Sequence, residues 1–417
     1  AAIIFSLCLQ TFMHAKAAVA DMWLVLFVTA AHWAGYKLLF GPLKNELRIP
    51  NALASRTSNS EIFREQAFEH RTSNLAEKWW WTFYASLAFA FLAKGPIGWT
   101  PLLTIAAARF FLGQTNLGKR FAFVRGCAVT IAIVAIWGIP ALIRTNGEFF
   151  RVGIGHHVVE RSLVTMEGHG GKSLGWYLLT LPFFFVTVFV SFFPWSIKLP
   201  WLMRKLWRNP RTAVGDRDYN PRDLTDYYLI AGAAIIFLIF SLVKTKLPHY
   251  TLPAFPLLAL LLARHWSLQG AALSNAPMTA ESRASQFKQF AITTACGWLA
   301  LAFFVFPFTA RFSPAMQLLK QSRNDLRPEM EFGAVGYNEP SLVWYFRSRV
   351  NGFLDSTLDS EDIRPFMEKS GGRFVILPTS LAAKLYPALP SNSKEFSTRG
   401  FNIAKGKRVD LTLILKP

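Results

Sequence analysis

The sequence predicts a polytopic α-helical membrane protein with a small C-terminal α/β domain, and three observations carry that expectation. Of 417 residues, 52% are apolar, with 38 Phe and 14 Trp, and only 17% are charged; a soluble domain is typically about 25% charged. The apolar residues gather into runs long enough to cross a bilayer, about nine in all, and short basic loops separate them. After Arg311 the composition turns mixed, with strand-like runs at 332–335, 373–377 and 411–415. The expected division is a membrane domain over 1–309 and an α/β domain over 310–417.

The formal charge of +20 does not point to nucleic acid, because the basic residues are dispersed among the loops as the positive-inside rule requires. Cys8, Cys127 and Cys296 lie in apolar runs without ligand spacing and read as small hydrophobes, so no disulfide is expected. There is no internal repeat.

Taken in order, the run from Ala1 to Met13 is short for a span, which suggests that the natural chain starts upstream. His14 and Lys16 lead to Asp21, directly before the run Met22 to Phe40. Asp21 either caps that helix through its carboxylate or faces a polar cavity. From Gly41 to Lys78 the apolar signal stops and six basic residues mark a cytoplasmic loop. Trp79-Trp80-Trp81 opens the next span, which reaches Ala93; Lys94-Gly95-Pro96 breaks it from the run Ile97 to Leu112.

Lys119, Arg120 and Arg125 return to the cytoplasm, and Ala128 to Ile143 crosses outward to a polar segment ending near Ser173. That segment holds Glu148-Phe149-Phe150-Arg151 and His156-His157-Val158-Val159-Glu160-Arg161. The His-His-x-x-Glu group offers metal-ligand chemistry, yet it matches no closed zinc spacing, and interfacial hydrogen bonding is its ordinary use. Trp176 to Trp195 returns to the densest basic loop, Lys198 to Arg222.

Tyr228 to Val243 then crosses to a basic and aromatic knot, Lys244-Thr245-Lys246-Leu247-Pro248-His249-Tyr250. Pro248, Pro253 and Pro256 keep this turn from continuing as a regular helix. Two readings are open: the knot holds an anion at the membrane surface, or the lysines snorkel and Tyr250 joins an interfacial aromatic belt. Leu252 to Ala263 crosses back and Phe290 to Phe308 crosses once more. This topology puts Asp21, Lys94, the His156 to Arg161 segment and the knot on one outer face, although topology anchors alone would favour the other side, so a common site is the stronger reading. In the C-terminal part, Tyr337-Asn338-Glu339-Pro340-Ser341 is either a turn pointing Glu339 outward or the start of a helix.

Several of these motifs occur together in a recognisable order. Ala93-Lys94-Gly95-Pro96, the Glu148 to Arg161 segment, Phe193-Pro194-Trp195, Lys246-Leu247-Pro248-His249-Tyr250 with Leu252-Pro253-Ala254-Phe255-Pro256, and Tyr337 to Leu342 resemble the bacterial aminoarabinose transferase (ArnT) and protein O-mannosyltransferase superfamily. The lysine-proline-histidine-tyrosine stretch with its proline-rich sequel is the specific part.

The resemblance implies a GT-C fold in a bacterial inner membrane with the active face periplasmic. It also implies transfer of a sugar from a polyprenyl (undecaprenyl) phosphate to a lipid A-like or protein acceptor. On the same ground Arg161 and Tyr250 hold the donor phosphate, with Lys244, Lys246 and His249 as helpers. Lys94 binds a second anion, Asp21 is the family's second acidic residue, and His156 is the candidate ligand of a divalent metal. The family's principal carboxylate lies in a first outer loop upstream of Ala1, so the expectation is that the sequence is a piece of a longer enzyme. Two rival functions share the features: a transporter or flippase of anionic lipids, and an inactive lipid-binding homologue.

Overall fold

The computed structural model describes residues 1–17, 19–41, 59–111, 117–153, 155, 174–208, 221–272, 279–337, 339–351, 354–355, 358–402 and 407–417. The chain divides into two compact units, Ala1–Ala295 and Cys296–Pro417. The expected boundary at 309/310 falls later, after the last apolar run; the division by contacts falls inside that run.

In the first unit the Asp21–Phe40 helix lies along the Asn59–Lys94 helix, small residues of the first meeting aromatic and aliphatic side chains of the second. Ala31, Ala34, Leu38, Phe83, Tyr84 and Leu87 are buried there. Gly35 lets Phe83, Ile105 and the Tyr228 hydroxyl approach, each of which would stand 3.1 Å from an added Cβ. Tyr228, on the Pro221–Leu242 helix, donates to the carbonyl of His32 at 2.8 Å, so the third helix is tied to the first by a buried hydrogen bond.

A second tie sits where the Leu117–Phe121 and Phe123–Arg144 helices meet at left-handed Ala122. The turn frees the carbonyl of Phe121, and two buried aromatic donors satisfy it: Trp80 Nε1 at 2.7 Å and the Tyr84 hydroxyl at 2.9 Å.

Among the described residues, four helical stretches are long and apolar enough to cross a membrane: Asp21–Phe40, Leu117–Arg144, Leu224–Leu242 and Ala284–Ala310. A fifth results if Phe183–Ser191 and Trp195–Trp207, bent by 119°, are one broken span. The sequence suggested about nine. Several runs read as crossings are covered by shorter helices: 1–13 by Ala2–Ser6 and Leu9–Ala17, 97–112 by Thr100–Phe111, and 176–195 by Leu174–Leu179 and Phe183–Ser191. Ile131, Ile136, Ile139 and Ile143 are exposed on one such span, and Phe303 and Phe304 on another, as lipid-facing side chains are. The molecule is a multi-pass helical membrane protein. One expectation needs correction: the segment 41–78 is not all loop, because the Asn59–Lys94 helix begins well inside it.

The second unit is α/β. Its sheet has the order β2-β1-β3-β5-β4, from Glu331–Ala334 (β1), Leu354–Asp355 (β2), Arg373–Pro378 (β3), Lys394–Asn402 (β4) and Lys407–Lys416 (β5). β1 runs parallel to β2 and β3, while β5 is antiparallel to β3 and β4. Phe374 and Ile376 of β3 join one buried cluster and Val375 and Leu377 another. Both faces are therefore covered, which is why β3 reads as an unbroken apolar run. The three strands expected from sequence are β1, β3 and β5. At 339 the helix reading holds: Glu339 precedes the Pro340–Phe346 helix, is buried, and accepts from the hydroxyls of Tyr337 at 2.7 Å and Ser341 at 3.0 Å.

Candidate active site

The site is built where helices of the first unit start and stop. The Asn59–Lys94 helix ends because Gly95 takes a left-handed turn, with φ of 74°, and Pro96 opens a 3-10 segment, Gly95–Trp99. That leaves Lys94 at a helix C-terminus, where the backbone carbonyls favour a cation. Asp21 is the first residue of its own helix, where free N–H groups favour an anion. The two meet: Lys94 Nζ donates to Asp21 Oδ1. Asp21 makes no side-chain cap, since the N-cap position is Ala20. Of the two sequence readings of Asp21, capping is not observed; Asp21 does line a cavity, but one whose wall is mostly apolar rather than polar.

That cavity is about 1080 Å³ and takes in Asp21, Lys94, Gly95 and Tyr250. The remaining wall is apolar, including Leu24, Ile97, Trp99, Val134, Trp137 and Leu142. Trp137 meets Phe149 edge-on at 5.0 Å, which holds the Glu148–Phe150 turn against the Phe123–Arg144 helix and closes one side of the wall. Beside it Arg151 and Glu148 form an exposed ion pair at 2.7 Å.

Tyr250 reaches the cavity from the Pro248–Ala254 3-10 segment, whose prolines prevent a regular α-helical turn before Phe255. Its ring lies 5.8 Å from Lys94 Nζ and stacks at a tilt on Phe240 at 4.9 Å. A tyrosine ring and an ammonium thus stand together beside an ion-paired carboxylate in a mostly apolar hollow.

The lysines of the knot behave differently. Lys246 is buried and its ammonium donates to the carbonyls of Phe240, at 3.3 Å, and Ser241, capping the end of the Pro221–Leu242 helix. It also lies 5.6 Å from the Tyr177 ring and 5.8 Å from that of Phe184, and burial lowers its pKa. Neither Lys246 nor the exposed Lys244 lines the cavity. As donor-phosphate helpers these two find no support in the geometry: the orphan carbonyls of a helix end hold Lys246, and Lys244 faces outward. His249 is half-buried beside Tyr250, with its ring 5.1 Å away, and lies 5.0 Å from the ring of His14. Arg161 and His156 lie outside the described residues.

Sequence reasoning nominated Asp21, Lys94, His249 and Tyr250, which come together, but not His14. Its signal was its position, on the Leu9–Ala17 helix that leads into Asp21. Burial lowers the pKa of His14 and Lys94 acts in the same direction, while Asp21 and the Gln10 carbonyl oppose the shift. Among the described residues, His14, Asp21 and His249 each offer a ligand atom within 4.8 Å of the others.

These features define a polytopic helical membrane protein in which a lysine, a tyrosine and a carboxylate line an apolar hollow at helix ends, and the fold is ArnT-like. The chain is similar over 99% of its length to the crystal structure of ArnT from Cupriavidus metallidurans bound to undecaprenyl phosphate, with a TM-score of 0.58, 17% identity and 78% of that chain covered. The same protein in the apo state gives a TM-score of 0.55.

Among curated proteins, undecaprenyl phosphate-α-4-amino-4-deoxy-L-arabinose arabinosyl transferase from Edwardsiella ictaluri is 25% identical over 173 residues, 42% of this chain and 28% of its own length. The protein of the same name from Erwinia tasmaniensis is 31% identical over 162 residues, 39% of this chain and 26% of its own length. The matched stretch thus spans little more than a quarter of these relatives. No family model matches the chain. The resemblance read from the motifs stands: the chain is ArnT-like.

Proposed function

We propose that the protein is an inner-membrane glycosyltransferase that takes a sugar from an undecaprenyl phosphate donor at the periplasmic face and transfers it to a lipid A-like acceptor. The observation that carries this reading is Asp21, Lys94 and Tyr250 converging on one apolar-walled cavity. It is supported by the ArnT-like fold and by relatives named as arabinosyl transferases on undecaprenyl phosphate. Further crossings beyond the long helices would come from Thr100–Phe111 and Phe255–Ala272, toward the nine of the sequence reading.

The chemistry follows from the groups present. As the anomeric bond breaks, negative charge grows on the lipid phosphate and positive charge on the sugar. The Tyr250 hydroxyl donates to the phosphate, and the ammonium of Lys94 stabilises an anion beside it. Asp21 is anionic where the sugar turns cationic, and a phosphate reaching Lys94 draws that lysine partly away from it. An acceptor phosphate is already ionised near neutral pH and needs no base, which favours a lipid A-like acceptor over a protein hydroxyl. Arg161, by resemblance, adds a second cation on the donor phosphate.

The charged pair stands at helix ends, Asp21 first in its helix and Lys94 last in its own. A translocation path would carry charge near the midplane, so transfer at one surface is the better reading. The test is transfer of labelled sugar from the undecaprenyl phosphate donor in membranes holding the full-length protein. Tyr250→Phe and Lys94→Ala should each lower the rate about 100-fold or more with insertion unchanged; normal transfer by both would end the proposal.

A further inference from the structure

We propose that His14, Asp21 and His249 form a binding site for a borderline divalent cation of the zinc class, in which the cation competes with Lys94 for the Asp21 carboxylate. Two imidazoles and one carboxylate are a donor set that Zn²⁺ and Co²⁺ accept while keeping positions open. The three donors come from separate elements: the Leu9–Ala17 helix, the first residue of the Asp21–Phe40 helix and the Pro248–Ala254 turn. Their ligand atoms lie within 4.8 Å of one another. Tetrahedral bonds of about 2.0–2.1 Å put ligand atoms about 3.3 Å apart, so closure asks for side-chain rotations of about an ångström.

The surroundings fit a metal-binding imidazole. His14 Nδ1 lies 3.2 Å from the carbonyl of Gln10 and 2.9 Å from its side-chain amide. A proton on Nδ1 satisfies that carbonyl, with the amide turned so that its oxygen faces the ring, and leaves Nε2 basic. The rings of His14 and His249 already lie 5.0 Å apart, tilted by 40°, close enough for one ion to take a nitrogen from each. Lys94 holds Asp21 through Oδ1, which leaves Oδ2 for a second partner. A dication there repels the ammonium, so Lys94 leaves the carboxylate when the ion binds, and its charge is released into the cavity that both residues line. The site uses no residue of the His156 group, and its occupancy can be read without any sugar donor, so it stands or falls apart from the transferase reading.

The test uses the full chain, purified in detergent, stripped with chelator and carrying His156→Ala and His157→Ala to remove the other candidate metal-binding histidine pair. Titration with Co²⁺, followed by visible absorption and reversed by Zn²⁺, should show one ion per chain. His14→Ala and His249→Ala should each weaken binding by at least about tenfold. Lys94→Met should tighten it, because the competing cation is gone. X-ray absorption of the Zn²⁺-loaded background protein, which keeps all three proposed ligands, should count two imidazoles. No Co²⁺ uptake by the background protein, uptake unchanged in both histidine variants, or an imidazole count other than two overturns the site. An affinity that does not rise in Lys94→Met overturns the competition with Lys94.

Discussion

Two lysines at helix ends of the first unit have different duties. Lys94 is about one third exposed and pairs with a nearly buried carboxylate, whereas Lys246 is buried on backbone carbonyls. Removing Lys94 leaves Asp21 unpaired: Lys94→Gln should cost about 1–3 kcal/mol, and adding Asp21→Asn should restore most of it, read as thermal midpoints of the two variants in detergent. Lys246→Met should also cost about 1–3 kcal/mol, by stripping the donor from two helix-end carbonyls, while leaving any transfer by the folded fraction intact. Lys244→Ala should change neither midpoint nor rate, since that side chain is exposed and outside the cavity. A Lys246→Met enzyme that folds normally but cannot transfer would return this lysine to the phosphate site.

At the scale of elements, the bundle is held by close approaches that only glycine permits. A Cβ at Gly126 would lie 1.9 to 2.3 Å from atoms of the Tyr84 ring. That ring cannot swing away cheaply, because its hydroxyl donates to the Phe121 carbonyl and its neighbours are buried. Gly126→Ala should therefore destabilise by about 1–3 kcal/mol, measurable as an earlier loss of detergent-resistant fold on heating; Gly138→Ala, on the same helix with nothing within 4 Å, is the matched control and should be neutral. The seam of the Asp21–Phe40 and Asn59–Lys94 helices was legible in the sequence only as two apolar runs. Their pairing was not, because nothing in a lipid-soluble run says which face meets protein and which meets lipid.

For the molecule as a whole, the second unit carries its own buried clusters on both faces of a five-stranded sheet. A fragment beginning near Arg311 should therefore be soluble alone and unfold cooperatively, with the circular dichroism of a mixed α/β domain; a fragment without a thermal transition would show that this domain needs the membrane part. Three of its strands were legible as apolar runs. β4 was not, since Lys394-Glu395-Phe396-Ser397-Thr398-Arg399 is polar enough to pass for loop. It forms because β5 offers it an antiparallel partner at the sheet edge, a long-range fact that no local pattern contains. β2, only two residues long, left no local pattern to read.

The sequence by itself determined the membrane class, the helix breaks at Gly95 and at the proline-rich turn, and the nomination of Asp21, Lys94, His249 and Tyr250. Each of these follows from composition, from backbone chemistry or from an ordered set of motifs, and all of them are written along the chain. Only the tertiary structure decided that Asp21 answers to Lys94 rather than to its own helix, that Lys246 serves a helix end, and that His14 stands beside His249. Charges and imidazoles choose partners by distance through space, and packing brings together groups that lie tens to hundreds of residues apart.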